Sequence, residues 1–285
     1  MNDIVYTDAG QRCVSGVFGD LVRSRELLFD LAWKELRVRY RYAFMGFLWA
    51  IIEPVALMLI LTFVFTLVFA GKTAALRGET SAPFAVVLLC GLIPWQFLSN
   101  SLTTGTRSLI DHHELVKKVY FPREVVPLSA VGTSLVNFVI GLAILAIVHL
   151  VMGGSIGLGV CWFPVVFLIQ LVMVCGLVLL CSCLNVFFRD VSYMVSVGIV
   201  FGFYATPIFY TLEDVLRLGG AHPWLVRFYM LNPMAELNTA YRQVLFESRF
   251  PDPQLLVWPI IFSTLILAIG VVVFRRNSAF LSDHL

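Results

Sequence analysis

The sequence predicts an all-α integral membrane protein, and three observations support that fold class. Of the 285 residues, 59% are hydrophobic and only 13% are charged, whereas an ordinary soluble domain carries about 25% charge. Six apolar runs reach roughly the 20 residues that a transmembrane helix needs. The first 43 residues hold seven Lys and Arg and lack an early apolar region with a cleavage site, so we expect no secretory signal peptide.

The N-terminal segment, residues 1–43, contains a predicted helix at about 21–38 that lies on the membrane surface. At about 100° per residue its charges share one stripe, formed by Arg23, Glu26, Asp30, Lys34 and Arg37. Apolar residues cover much of the remaining surface, which is typical of an interfacial helix. The alternative is a helix packed on a soluble domain, but the sequence predicts no such domain.

Six predicted transmembrane spans follow and form one membrane domain over residues 44–275. They lie at about 44–70, 84–105, 124–152, 162–187, 192–211 and 254–274, with a tail at 276–285. If the N-terminus is cytoplasmic, fourteen Lys and Arg lie inside and six lie outside, which is the asymmetry of the positive-inside rule. Both termini and the charged segment between the second and third spans are therefore expected to be cytoplasmic.

Residues 212–253, between the fifth and sixth spans, are predicted to form a re-entrant cap of two short helices. Asn232 and Pro233 indicate a helix start, because Asn caps a helix well and Pro suits its first position. The helix would run to about Glu247, with Tyr241 on its apolar face. Such short helices suit a cap that is covered by protein.

Two short motifs are similar to catalytic or nucleotide-binding signatures, but neither is complete. Residues 71–73, Gly-Lys-Thr, match the end of a phosphate-binding loop, yet the Gly required five residues earlier is Thr66. Residues 111–114, Asp-His-His-Glu, differ from the palmitoyltransferase signature because Glu114 replaces the nucleophilic Cys. Adjacent His residues point about 100° apart on a helix, so they also make a poor metal site. The sequence therefore predicts neither a catalytic centre nor a metal centre.

Glu53 is the acid that lies well inside a predicted span, and Pro54 follows it at once. An intramembrane carboxyl group is a functional candidate by default, so Glu53 is predicted to face the transport pathway or to form a structural ion pair. A polar contact between packed helices is the alternative, and the sequence leaves it open. Paired membrane carboxylates and a chain of His are missing, which does not support a proton-coupled transporter. The six Cys are expected to be mostly buried thiols.

Four blocks of sequence together carry a family resemblance. They are ELRVRYRYAFMGFLWAIIEPV at 35–55, KVYFPREVVPLSAV at 118–131, LNVFFRDVSYMV at 184–195 with ATPIFY at 205–210, and LNPMAELNTAYRQVLF at 231–246. In order and spacing they resemble the permeases of ABC transporters that export bacterial polysaccharides. Glu53 and Ala205 stand at positions where members of that family often vary, so neither identifies the cargo.

The resemblance implies that the chain is half of the membrane part of an exporter in the bacterial inner membrane. Two copies would form the channel, and two separate subunits would bind ATP and Mg²⁺, so no cofactor is expected in this chain. The implied cargo is a lipid-linked polysaccharide, foremost undecaprenyl-diphosphate-linked O antigen. An ABC permease for capsule, teichoic acid, a drug or a lipid is the alternative. A membrane enzyme or a passive channel is the alternative from another class.

Three groups of residues are predicted to serve that function. The resemblance implies a coupling helix before the third span, in which two apolar residues fill a socket of the ATPase; it comprises Glu114, Leu115, Val116, Lys117 and Lys118. The lipid diphosphate is predicted to meet basic residues that otherwise serve only as positive-inside anchors, namely Arg37, Arg39 and Arg41. The external gate is predicted to include Trp224, Asn232, Pro233 and Tyr241.

Overall fold

The structure is a computed structural model, and every regular element that it describes is helical. It describes residues 24–41, 46–64, 84–118, 121–154, 157–210, 226, 229–246, 250–278 and 280–281. The α-helices are α1 Arg25–Arg41, α2 Trp49–Phe63, α3 Phe84–Asp111, α4 His113–Lys118, α5 Val125–Val151, α6 Phe163–Phe187, α7 Val191–Ala205, α8 Pro233–Leu245 and α9 Pro253–Asn277. Short 3-10 helices at Gly46–Leu48 and Leu158–Trp162 lead into α2 and α6.

Four helical segments in the described part of the chain are long and apolar enough to cross a membrane. They are α3, α5, Leu158–Phe187 and α9. The helices α2 and α7 are apolar but shorter, with 15 residues each, so the layout of six spans stays a prediction. Helix α7 ends at Ala205 rather than near residue 211, because Thr206 is extended (φ −103°, ψ 140°), as residues before a proline prefer to be.

Helix α3 lies at the centre of the bundle and packs against α5, α6, α2, α7 and α8. Its N-terminal half is buried on all sides. Phe97 of α3 meets Phe138 of α5 and Phe167 of α6, with ring centroids 5.2 and 5.9 Å away. These aromatic contacts join three long helices in one apolar core.

Helices α6 and α9 have the most extensive contact in the bundle, and glycine makes it close. A Cβ placed on Gly176 would lie 2.6 Å from the backbone nitrogen of Leu267, a separation that no side chain tolerates. Small residues let helix backbones approach in membranes, where packing rather than the hydrophobic effect drives helix association.

Helix α1 presents three different surfaces. Leu31, Ala32 and Leu36 are buried, and α1 packs on α5. Phe29 and Trp33 stack on each other with centroids 6.4 Å apart, and both are exposed. The exposed charged stripe consists of Glu26, Asp30, Lys34 and Arg37. An apolar exposed pair beside a charged stripe suits a helix at a lipid–water boundary, and that placement stays a prediction.

A second apolar core, which we call the end cluster, joins the ends of several helices. It contains Leu109, Val116, Val126, Leu128, Leu179, Cys183, Val186, Val271, Phe274 and Leu281. These residues come from the end of α3, from α4, from the start of α5 and from the ends of α6 and α9, followed by Leu281. The end cluster therefore ties four long helices and one short helix together at one side of the bundle.

The described cysteines are thiols, and their burial differs from the expectation at one position. Cys90 and Cys183 are buried, but Cys161 is exposed. Cys161 lies in the 3-10 helix before α6, at the end of a span rather than inside it, and this position explains its exposure.

Candidate functional site: the two ends of the helix bundle

Helix α4 begins where two imidazoles close the end of α3. The Nδ1 atom of His112 lies 3.0 Å from the carbonyl oxygen of Ser108, and Nδ1 of His113 lies 3.0 Å from that of Ile110. With Nδ1 protonated, each ring donates to a carbonyl of the last turn of α3, and the Ser108 carbonyl also accepts from the backbone N–H of His112 at 3.0 Å. The two His residues therefore have a structural role at the C-terminal end of α3. Among the described residues, no group of three His, Cys, Asp or Glu is placed to hold a metal ion.

The predicted coupling residues of α4 divide into an exposed face and one anchor. Glu114 and Lys118 are exposed and form an i,i+4 ion pair, and Lys117 is exposed beside them. Leu115 is half-buried. Val116 is only 4% exposed and belongs to the end cluster. Val116 therefore packs into its own chain, and its predicted place in a socket of a partner stays a prediction.

The start of α5, next to α4, is fastened to the far end of the chain. Glu124 pairs with Arg275 at 3.7 Å, and both side chains are mostly buried. The guanidinium of Arg123 donates to the backbone carbonyl of Ser278. Neither Glu124 nor Arg275 was singled out from the sequence as a site residue. Their opposite charges, at the start of the third predicted span and the end of the sixth, were the signal that could have joined them.

At the opposite end of the bundle, α8 starts as the Asn-Pro pair indicated. The backbone nitrogen of Met234 donates to Oδ1 of Asn232 at 3.0 Å, which is a side-chain N-cap. The amide of Asn232 also donates to the carbonyl of Ala205 at 3.2 Å and to Oγ1 of Thr206 at 3.0 Å. Pro233 is the first residue of the helix. One side chain thus caps α8 and ties it to the end of α7.

Tyr241 lies inside the bundle rather than on an outer surface. It is fully buried, and its hydroxyl donates to Oε1 of Gln170 at 2.7 Å. Gln170 in turn donates to the carbonyl of Pro94 at 2.8 Å. The amide of Asn238 donates directly to the carbonyl of Gly91 at 3.4 Å, and Gly91 is seven residues into α3, so α8 reaches about 10 Å past the start of that helix. This depth matches a re-entrant helix covered by protein.

Arg242 is a buried residue that sequence reasoning counted only as an external charge. It donates to the carbonyls of Tyr210, Pro207 and Ile208, at 2.8, 2.7 and 3.0 Å. These acceptors belong to the segment after α7, which has left the helix and whose carbonyls need donors. The signal available in the sequence was ATPIFY, where Pro207 stops α7 and leaves backbone carbonyls that need donors.

Two other titratable groups at this end have altered proton affinity. Burial raises the pKa of the Glu236 carboxyl to about 7, and burial is also the main cause of the raised pKa of Tyr229. Trp224, the remaining residue of the predicted gate, lies outside the described residues.

The remaining predicted site residues lie on α1 and α2. Arg37 and Arg41 are exposed, and four residues apart they share one side of α1; the side chain of Arg39 lies outside the described part. Glu53 is exposed on α2 and lines a cleft with Asn100 and Asn137. The structure therefore brings Glu53 together with amide side chains of two other helices.

Long apolar helices, with a charged short helix at one end of the bundle and a buried amphipathic helix at the other, define a multi-pass membrane protein. The family model for ABC-2 type transporters matches residues 26–246, and the chain belongs to that family. It is 34% identical over 235 residues to the O-antigen export system permease protein RfbA of Myxococcus xanthus, which covers 82% of this chain and 86% of that protein. It is 31% identical over 221 residues to a protein of the same name from Klebsiella pneumoniae, covering 77% and 80%.

Proposed function

We propose that this chain is the channel-forming subunit of an ATP-driven exporter of lipid-linked polysaccharide, foremost undecaprenyl-diphosphate-linked O antigen. The observation that carries the proposal is the placement of α4. Within an ABC-2 type transporter, a short charged helix stands exposed on the end cluster, which several helix ends share. The names of the relatives from Myxococcus xanthus and Klebsiella pneumoniae support the cargo.

In this proposal α4 transmits the motion of a separate ATPase. Leu115 enters an apolar socket of that subunit, while Glu114, Lys117 and Lys118 make polar contacts around it. Val116 holds α4 to the end cluster, so a push on α4 reaches α3, α5, α6 and α9 together. Two copies of the chain form the channel and two ATPase subunits bind ATP and Mg²⁺. This side of the bundle faces the cytoplasm of a bacterium, with both termini on the same side of the inner membrane.

At the outer side, α8 acts as the gate. Asn232 and Arg242 bind the segment that follows α7, so the outer end of α7 and α8 move as one body. Tyr241 and Gln170 hold that body against α3 and α6. When the channel opens, these contacts must either break or move together with α8.

At the inner side, exposed basic residues of α1 meet the anionic lipid diphosphate. Arg37 and Arg41 lie on the exposed side of the helix, and each basic residue near an anionic membrane surface contributes about 1 kcal/mol of attraction. Arg39 is included from the sequence. Ordinary anchoring to anionic lipids uses the same charges, so only a transport measurement separates the two roles.

Deletion of the gene tests the proposal. Polymer linked to its lipid should accumulate in the cytoplasm of the deletion strain, and the wild-type chain supplied in trans should restore polymer to the cell surface. A chain with its coupling segment replaced by Gly-Ser, present in the membrane at the same level, is the matched control and should not restore export. Normal surface polymer in the deletion strain would refute the proposed function.

A further inference from the structure

A polar cleft lies between α2, α3 and α5, near the middle of the bundle's depth. Its polar lining consists of Glu53, Gln96, Asn100, Ser134 and Asn137. Gln96 is the thirteenth residue of α3 and Asn137 the thirteenth of α5, which puts each about 18 Å from the start of its helix. A hydrocarbon core is about 30 Å thick, so these side chains lie at mid-membrane depth.

Close packing and a proline fix the geometry of the cleft. One turn beyond Asn137, a Cβ on Gly141 would lie 3.1 Å from the side chain of Ile93, so α3 and α5 approach closely here. Pro54 has no N–H, which leaves the carbonyl of Ala50 without its intrahelical donor. Ala50 and Pro54 both line the cleft, so a backbone acceptor adds to the side chains.

The cleft is too small to hold a sugar, but some of its polar residues reach its open side. Its volume of about 20 Å³ holds one water molecule and no sugar ring. Glu53 is exposed, and Asn100 and Asn137 are half-buried, so their polar groups reach the open side. A carboxyl group facing hydrocarbon is costly, which favours an open side that faces water.

We propose that Glu53, Asn100 and Asn137 form a subsite that binds the hydroxyl groups of the saccharide chain during its passage. This inference rests on the proposed function. A sugar hydroxyl both donates and accepts, and a carboxyl group with two amides offers both partners. The described lining of the cleft includes no Lys, Arg or His, so the site suits neutral sugar and not the lipid diphosphate.

Photo-crosslinking in the assembled exporter tests whether the glycan passes this site. Position 53 or 100 is replaced by p-benzoylphenylalanine, and controls carry it at Ile147 on α5 or Leu265 on α9, both exposed apolar positions. After irradiation of cells that are exporting polymer, glycan should be attached at 53 and 100 and not at 147 and 265. Attachment of lipid alone at 53 and 100, or equal glycan at all four positions, would overturn the subsite.

Substitutions give a second readout. Asn100→Leu and Glu53→Leu should each slow export about fivefold to tenfold, the loss expected from one or two hydrogen bonds, while ATPase activity and membrane level stay normal. Glu53→Gln should restore most of the rate, because an amide still binds hydroxyls. Thr264→Val, whose hydroxyl bonds to its own helix, is the control and should export normally. Wild-type rates in both Leu variants would refute the subsite and leave the proposed function standing, whereas a wild-type complex that exports no glycan would refute the proposed function itself.

Discussion

The two ends of the helix bundle hold their short helices in opposite ways. Helix α4 is fixed to the chain by one apolar side chain, Val116, and shows its charges to solvent. Helix α8 is buried along nearly its whole length and is fixed by hydrogen bonds from Asn232, Tyr241 and Arg242. The difference motivates the proposal that α4 acts with a partner, whereas α8 has its contacts within the chain. Substitutions at α8 should therefore act on stability, and substitutions on the exposed face of α4 should act on coupling.

Arg242→Leu should have the largest effect on stability. The substitution removes the guanidinium and its three hydrogen bonds, which leaves the carbonyls of the segment after α7 without that donor. The loss should cost about 3 kcal/mol or more of unfolding free energy. The thermal unfolding midpoint of the purified chain in detergent should fall by about 5–10 °C. Arg189→Leu, at an exposed position, is the control. An unchanged midpoint for Arg242→Leu would show that α8 is not held by this residue.

Leu115→Asp should block coupling without unfolding the chain. A charge in the ATPase socket should lower export at least about tenfold, equal to 1.4 kcal/mol, while ATPase activity of the complex loses its dependence on cargo. Because Leu115 is half-buried, the thermal midpoint should hardly change. Val116→Asp, one residue on, should instead destabilise the chain by placing a charge in the end cluster. If the two variants behaved alike, the division of α4 into a partner face and an anchor would be wrong.

Tyr241→Phe should have a smaller effect on stability. Loss of the hydroxyl leaves Oε1 of Gln170 without this donor inside the bundle, which should cost about 1–2 kcal/mol. Tyr193→Phe, on an exposed face of α7, is the control for the chemical change. A double-mutant cycle with Gln170→Leu isolates the pair, and additive losses of stability would show that the two side chains do not depend on each other.

The sequence predicts the helices better than it predicts what their polar residues meet. Four of the predicted spans and the Asn232-Pro233 start depend on local composition, so hydropathy and capping preferences were enough for them. Val116 and Leu115 are both apolar, and only the fold decides which one the chain itself buries. Arg123 and Ser278 are 155 residues apart, and no periodicity connects them. Arg242 was counted with the external charges because the sequence marks where Pro207 ends α7 but not which donor reaches the carbonyls that follow.

Glu114→Gln should have the smallest effect on the isolated chain. The carboxylate pairs with Lys118 on the exposed face of α4, and an exposed i,i+4 pair contributes at most about 0.5 kcal/mol. The thermal midpoint should therefore stay within measurement error, and Lys117→Gln, which leaves the Glu114–Lys118 pair intact, is the control. The effect of Glu114→Gln should be larger when the ATPase is added, because a partner that excludes water strengthens the interactions between charges at the contact. Affinity for the ATPase, measured against rising salt, should fall for Glu114→Gln although stability does not. Equal affinity and equal salt dependence in variant and wild type would place the partner on another face of the bundle.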